Sequence, residues 1–230
     1  MKAPEPDFLA LDAAVQAQID ALDLATGRPL IISDADEVLL QFVQGLEVYL
    51  ERQGLWLDLQ SFALTGNVRR IGTNERIPAA EMPDILGGFF ASETASLKAV
   101  PDAAKTLAEL SKRAQVVVLT NVPQDQRDAR AACLAGQGLD YPVIANTGLK
   151  GGAVRYLAEA AGRAPVFFLD DIPHNISAVA KAHEESQRIH FIADERLAKL
   201  LPPCDDSHFH TTKWQLAGDF IHSRLDETGF

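Results

Sequence analysis

Five short apolar runs, each closed by a polar residue and set apart by helical stretches, constrain this chain most. Leu30-Ile31-Ile32-Ser33 stops at Asp34, Val116 to Leu119 at Thr120, and Tyr141 to Ala145 at Asn146. Val166 to Leu169 stops at Asp170-Asp171, and Ile189 to Ala193 at Asp194. Short runs with no polar alternation are strands buried on both faces, the mark of a parallel sheet. Helices between them are carried by Ala103, Leu107 and Leu110, by Val154, Leu157 and Ala158, and by Ile176, Val179 and Ala180. The expected fold is α/β, a parallel sheet with helices on both faces. Sheets of this kind place ligands beyond the carboxyl ends of their strands, so the closing polar residues converge on one crevice.

The alternation breaks once. Residues 38–98 begin with the apolar Leu39, Leu40, Phe42, Val43, Leu46 and Leu50, followed by Trp56, Leu57, Leu59, Phe62 and Leu64. A polar stretch through Asn67, Arg69, Arg70, Asn74 and Arg76 leads to Gly87-Gly88-Phe89-Phe90. About 60 residues are too many for a bare loop in a compact domain. The expectation is a small, mostly helical module at 38–98 over a core formed by 1–37 and 99–230. Before the first strand, Phe8, Leu11, Val15, Ile19 and Leu22 predict an amphipathic helix over 8–24. At the other end a turn at Leu200–Pro203 precedes His208, His210 and a closing helix bearing Trp214, Ala217, Ile221 and Leu225.

Charge narrows the partners. The 230 residues carry a net charge of −11, which disfavours nucleic acid and anionic membranes, whose binding rests on clustered Lys and Arg. An anionic metabolite is still admissible, because a cation, one lysine and backbone amides make a site locally positive. Cys133 and Cys204 have no metal or redox spacing and read as reduced thiols. The polar start MKAPEPDF and the lack of a long apolar segment lead us to expect a cytoplasmic protein.

The chemistry concentrates in Ser33-Asp34-Ala35-Asp36-Glu37-Val38. Two carboxylates two residues apart at a strand end raise one another's pKa unless a cation compensates them. Mg²⁺, a hard ion that prefers oxygen ligands, fits that need. Thr120 closes its strand with a hydroxyl suited to a phosphate oxygen, and Asn121 follows it. Lys150 opens a helix where an ammonium can meet an anion, and Gly148, Gly151 and Gly152 around it suggest a close backbone approach to a ligand. Asp170-Asp171 can complete the carboxylate set for the ion.

In this order, Asp34-Ala35-Asp36-Glu37-Val38, Thr120, Lys150 and Asp170-Asp171 resemble the four motifs of the haloacid dehalogenase-like hydrolases. Val100-Pro101-Asp102-Ala103 resembles that superfamily's entry into the helix before the second motif. The match runs from 30 to about 195. A receiver domain also uses acids, a Thr and a Lys on a parallel sheet, but in another order and without a large insertion.

The resemblance implies a Rossmann-like core with a cap inserted after the first strand. It implies Mg²⁺-dependent phosphomonoester hydrolysis of a small phosphorylated metabolite. Asp34 would be the nucleophile, forming an aspartyl-phosphate, and Asp36 the acid and base, with its main-chain carbonyl on the metal. Asp171 would be a further metal ligand, with Asp170 beside it or orienting Lys150, while Thr120, Asn121 and Lys150 would bind phosphate. Dehalogenating members lack the second aspartate, since halide leaves without a proton, so Asp36 favours phosphate chemistry.

Arg69, Arg70, Asn67 and Phe89 are the cap's candidates for substrate selection, and His174 is a candidate for the cleft. The alternatives are a phosphomutase, a phosphonate-cleaving relative, or a weakly catalytic regulatory protein that binds a phosphometabolite. Two further expectations follow. Glu37 stands where the superfamily commonly has Gly, so its side chain should crowd the exit or alter the metal or substrate environment. The apolar run from Leu39 to Leu50 suits either cap packing or a homodimer contact.

Overall fold

A computed structural model describes residues 7–162 and 164–230. Most of the polar N-terminal stretch lies outside the described residues. In chain order the elements are α1 (Ala13–Asp20), β1 (Leu30–Ser33), α2 (Phe42–Arg52), β2 (Leu55–Leu57), β3 (Val68–Arg70), α3 (Met82–Glu93) and α4 (Ala103–Leu110). There follow β4 (Gln115–Thr120), α5 (Arg127–Ala135), β5 (Val143–Ala145), α6 (Gly151–Ala161), β6 (Val166–Asp170) and α7 (Pro173–Ala182). The chain ends with β7 (Gln187–Phe191), α8 (Glu195–Ala198), β8 (Phe209–Thr211) and α9 (Trp214–Thr228).

The main sheet runs β5-β4-β1-β6-β7-β8, with every neighbouring pair parallel. Successive side chains of a strand face opposite sides of a sheet. Ile31, Val116, Val118, Phe167 and Leu169 accordingly join one core, with α4, α5, α9 and the segment after β1. Leu30, Ile32, Val117, Leu119, Val166 and Phe168 join the other, under α1, α6 and α7. All five predicted strands are present, and burial on both faces explains why they read as unbroken apolar runs.

One expectation differs from the structure, and two regions carry strands that the sequence did not lead us to expect. The first helix is α1 alone, capped by the Asp12 carboxylate on the Ala14 N–H, so Phe8 and Leu11 precede it. His208 and His210 do not lead straight into a helix. His210 lies in β8, a sixth strand on the sheet edge, and the His208 ring accepts the Arg188 N–H. The insertion is helical through α2 and α3, but it also carries the antiparallel hairpin β2–β3. Within it Phe42, Val43, Leu46 and Leu50 are buried, and Phe89 packs edge-on against Phe42 and Tyr49. The buried apolar face of α2 thus serves packing within the insertion.

β1 sits between β4 and β6, with Ser33 opposite Val118 on one side and Leu169 on the other. The residues after these three strands therefore emerge side by side. After β1 the chain builds β4 and β5 to one side, then crosses to β6 on the other. That reversal is where open α/β sheets hold ligands.

Candidate active site

Asp34 leaves β1 with its backbone N–H bonded to the Leu169 carbonyl, and its own carboxylate accepts the Ala35 N–H at 2.7 Å. The Lys150 amine reaches it at 2.8 Å and Asp170 at 2.7 Å. Lys150 is almost wholly buried at the N-terminus of α6. Burial alone would lower the pKa of that ammonium. Asp170 and Asp34 more than reverse this, so the lysine stays charged. Gly151 and Gly152 do not make room for a ligand. A side chain on Gly151 would strike the Phe8 and Ala178 carbonyls, and one on Gly152 those of Leu9 and Ala10. These glycines let α6 pack against α7 and the chain's start.

Asp170, fully buried, is held from several sides. The Asn175 amide donates to both of its oxygens, at 3.0 and 3.2 Å, and the Ile172 N–H donates at 2.9 Å. Both oxygens are thus taken, which makes Asp170 the group that orients Lys150. The Asp171 carboxylate accepts no hydrogen bond from the described residues. Its backbone carbonyl bonds the buried His190 ring at 3.0 Å. Oxygens of Asp34, Asp170 and Asp171 lie within 4.8 Å of one another.

One ammonium thus faces three buried carboxylates. Burial, then the Asp170 charge and that of Asp34, holds the Asp171 carboxyl well above the usual carboxylate range. Asp34 is pushed up to about 6, chiefly by burial, with Lys150 opposing. This surplus of hard oxygen donors fits a divalent cation such as Mg²⁺.

Asp36 points to a partner that sequence reasoning missed. Arg130, fully buried on α5, brings Nη2 to its two oxygens at 2.9 and 3.1 Å. Burial raises the Asp36 pKa and Arg130 pulls it back, with the net shift upward. A signal was present: Cys133 and Leu134, three and four residues on, are buried on the same helix face, so a charge at 130 must be paired. Asn175 was also missed, in favour of its neighbour His174, which is exposed.

Glu37 is not one of the three clustered carboxylates, though it lines the cavity above them. Its backbone is left-handed at φ 56°, which explains why glycine suits the slot. Its buried carboxylate accepts the Val43 N–H at 2.7 Å, capping α2, and the Asp194 N–H at 2.9 Å. These bonds offset the strain, which costs about 1 kcal/mol. Burial pushes this carboxyl up to about 7.

Thr120 ends β4, and its buried hydroxyl has no hydrogen-bond partner among the described residues. The Asn121 amide donates to the Gly148 carbonyl at 3.0 Å, and its oxygen accepts from Asn146 at 2.8 Å. A cavity of roughly 270 Å³ opens over Asp34, Asp36, Asn121, Lys150 and Asp171, roofed by Phe62, Leu64 and Phe90. Of the four residues expected to select the substrate, none lines it. Arg69 is paired with Asp58 at 2.6 Å, Arg70 with Glu81 at 3.1 Å, and Phe89 is buried in the insertion's core. The Asn67 amide holds the Ser61 and Ala63 carbonyls, which shapes the loop that carries Phe62 and Leu64.

No protein-family model and no curated protein matches the chain. Solved structures do. A haloacid dehalogenase-like protein of unknown function from Agrobacterium tumefaciens shares 15% identity over 85% of this chain and 98% of its own, with a TM-score of 0.56. A HAD-family hydrolase from Deinococcus radiodurans, solved with phosphate and sodium, shares 15% over 90% and 98%, at 0.55. The L-2-haloacid dehalogenase of Xanthobacter autotrophicus shares 17% over 84% and 98%, at 0.52. At such identities the likeness is one of fold. This chain has the haloacid dehalogenase-like fold, with an insertion after β1 that matches a cap.

Proposed function

We propose that this protein is a cytoplasmic, Mg²⁺-dependent phosphomonoester hydrolase acting on a small phosphorylated metabolite, with 38–98 as a cap on a core formed by 1–37 and 99–230. The observation that carries the reading is Asp34 itself. It is a buried carboxylate at a central strand end, gripped by Lys150 and within 4.8 Å of Asp170 and Asp171. Asp34 attacks phosphorus as the ester P–O bond breaks, leaving an aspartyl-phosphate. Asp36 gives its proton to the leaving oxygen, and its raised pKa suits it to hold that proton. Asp36 then takes a proton from water, whose oxygen attacks phosphorus and frees Asp34.

Lys150, fixed by Asp170, keeps Asp34 ionised and aimed, and the unpartnered Thr120 hydroxyl donates to a phosphoryl oxygen. The metal would be held by Asp34, Asp171 and the main-chain carbonyl of Asp36, with Asp170 behind them. When bound, it neutralises charge on the carboxylates and the transferring group. Halide loss needs no donor acid, so the paired Asp36 supports phosphate over dehalogenation. The Arg130 grip on Asp36 favours a second reading, a phosphometabolite-binding protein with slow turnover.

Phosphate release from p-nitrophenyl phosphate and a metabolite panel, with Mg²⁺ or EDTA, separates these. Release should require the metal and fall by roughly a thousandfold or more in Asp34→Asn. Release indifferent to Asp34 would refute the mechanism. Binding of phosphate esters without release would favour the regulatory reading.

A further inference from the structure

We infer, resting on the hydrolase reading, that the substrate is the monophosphate of a compact apolar alcohol with no second charged group. The cavity over Asp34 divides sharply. Its polar lining is the reacting floor together with Glu37, Asn121 and Asn175, and its roof and walls are apolar, with Phe42, Phe62, Leu64, Phe90 and Leu197 among them. Among the lining residues the cation is Lys150, already committed to Asp34 and Asp170.

The insertion's guanidiniums are spent elsewhere. Arg52 pairs with Glu93, Arg69 with Asp58 and Arg70 with Glu81, while Arg76 is exposed away from the lining. Arg196, next in sequence to the wall residue Leu197, is tied to Glu47 and Asp194. A second phosphate or a carboxylate on the substrate would therefore meet Glu37 and Asp36, the latter already paired with Arg130 behind the lining, and no cation on the lining besides Lys150.

Sugar hydroxyls fare no better. The Asn121 amide donates to Gly148 and accepts from Asn146, and the Asn175 amide donates to Asp170, which leaves one Asn121 N–H and the Asn175 oxygen against six or more apolar lining side chains. Hydroxyls pressed against the remaining walls would lose water without gaining partners. Aromatic or branched aliphatic groups would bury area against Phe62, Leu64 and Phe90 at no such cost. At roughly 270 Å³ the space is at the small end for ligand sites, which sets a compact leaving group.

The test compares kcat/KM with Mg²⁺ for benzyl and isopentyl phosphates against glucose 6-phosphate, glycerol 3-phosphate and fructose 1,6-bisphosphate. A preference of about 10-fold or more for the apolar esters is expected. A preference for the sugar esters or the bisphosphate would overturn this inference and leave the hydrolase reading standing. No release from any ester would overturn that reading, and the substrate class with it.

Calorimetric titration with benzylphosphonate, phosphonoacetate and inorganic phosphate tests the walls without turnover. Benzylphosphonate should bind about 10-fold tighter than the other two. Phe62→Ser and Leu64→Ser should each erase that margin while leaving phosphate affinity, the check on folding, unchanged. Equal affinity for all three in the unaltered protein would also overturn the inference.

Discussion

Replacing Glu37 by glutamine isolates the energy of one buried carboxyl. In the folded, metal-free protein Glu37 titrates at about 7 against an ordinary 4.5, because burial outweighs its two backbone hydrogen bonds. A folded pKa above the unfolded one means that the folded state holds the proton more tightly. The stability it contributes is full below pH 4.5 and is lost as pH rises through 7. At about 1.4 kcal/mol per pH unit of that gap, the loss is roughly 3 kcal/mol, about 2.5 of it between pH 5 and 8.

A glutamine amide resembles the protonated acid and keeps an acceptor for one N–H, but it does not titrate. Urea unfolding of both proteins in EDTA, at pH 5 and pH 8, reads the difference directly. The stability of Glu37→Gln relative to wild type should be about 2.5 kcal/mol more favourable at pH 8 than at pH 5, on top of a pH-independent cost for the backbone N–H that loses its acceptor. Other carboxylates titrate in both proteins and cancel in the comparison. A difference that stays within about 0.5 kcal/mol over this range would refute the account of Glu37 as an acid buried at the expense of its charge.

Thr120→Val removes a buried hydroxyl that bonds to nothing described, so Tm should hold or rise while kcat falls about 100-fold; a lower Tm with kcat intact would assign the hydroxyl a purely structural part. Arg130→Met should cost about 3–5 kcal/mol in urea unfolding, because it leaves Asp36 unpaired beside Asp34. That penalty should be larger at pH 8 than at pH 5, since protonation relieves the lone carboxylate. Asp171 is raised by burial and by Asp170 and Asp34, so stability from this group is lost as pH climbs above the usual carboxylate range. Asp171→Asn should therefore raise the Tm of the metal-free protein at pH 8 and abolish the Tm increase that Mg²⁺ gives the unaltered protein.

What was legible in the sequence followed from burial. β1, β4 and β6 are covered on both faces, so Leu30–Ser33, Val116–Leu119 and Val166–Leu169 carry no polar interruptions, and their ends mark Asp34, Thr120 and Asp170-Asp171. β8 is an edge strand of three residues, Phe209-His210-Thr211, with too little apolar pattern to register. The Arg130–Asp36 pair spans 94 residues, and only the fold brings it together. The arginines misled because their partners are local. Arg69 lies opposite Trp56 in the β2–β3 hairpin, next to the segment that begins at Asp58, and no count of charges reveals that register.

The Glu37 carboxylate has a mechanical consequence. It straps the first turn of α2 to the loop after β7, and Arg196 adds a second fastening from α8 to Glu47. The inserted module is thus bolted down along one side, and swinging it away as a rigid roof means breaking those fastenings while α3 stays packed on α2 through Phe89. The 58–67 loop, sewn by Asn67 and lying outside regular structure, packs Leu59, Phe62 and Leu64 on the core but makes no side-chain hydrogen bond or ion pair to it among the described residues. Amide hydrogen exchange should therefore be faster in the loop that carries Phe62 and Leu64 than in α2. Short loops move in nanoseconds to microseconds, and hinged modules in microseconds to milliseconds, so the two edges of this roof belong to different timescales.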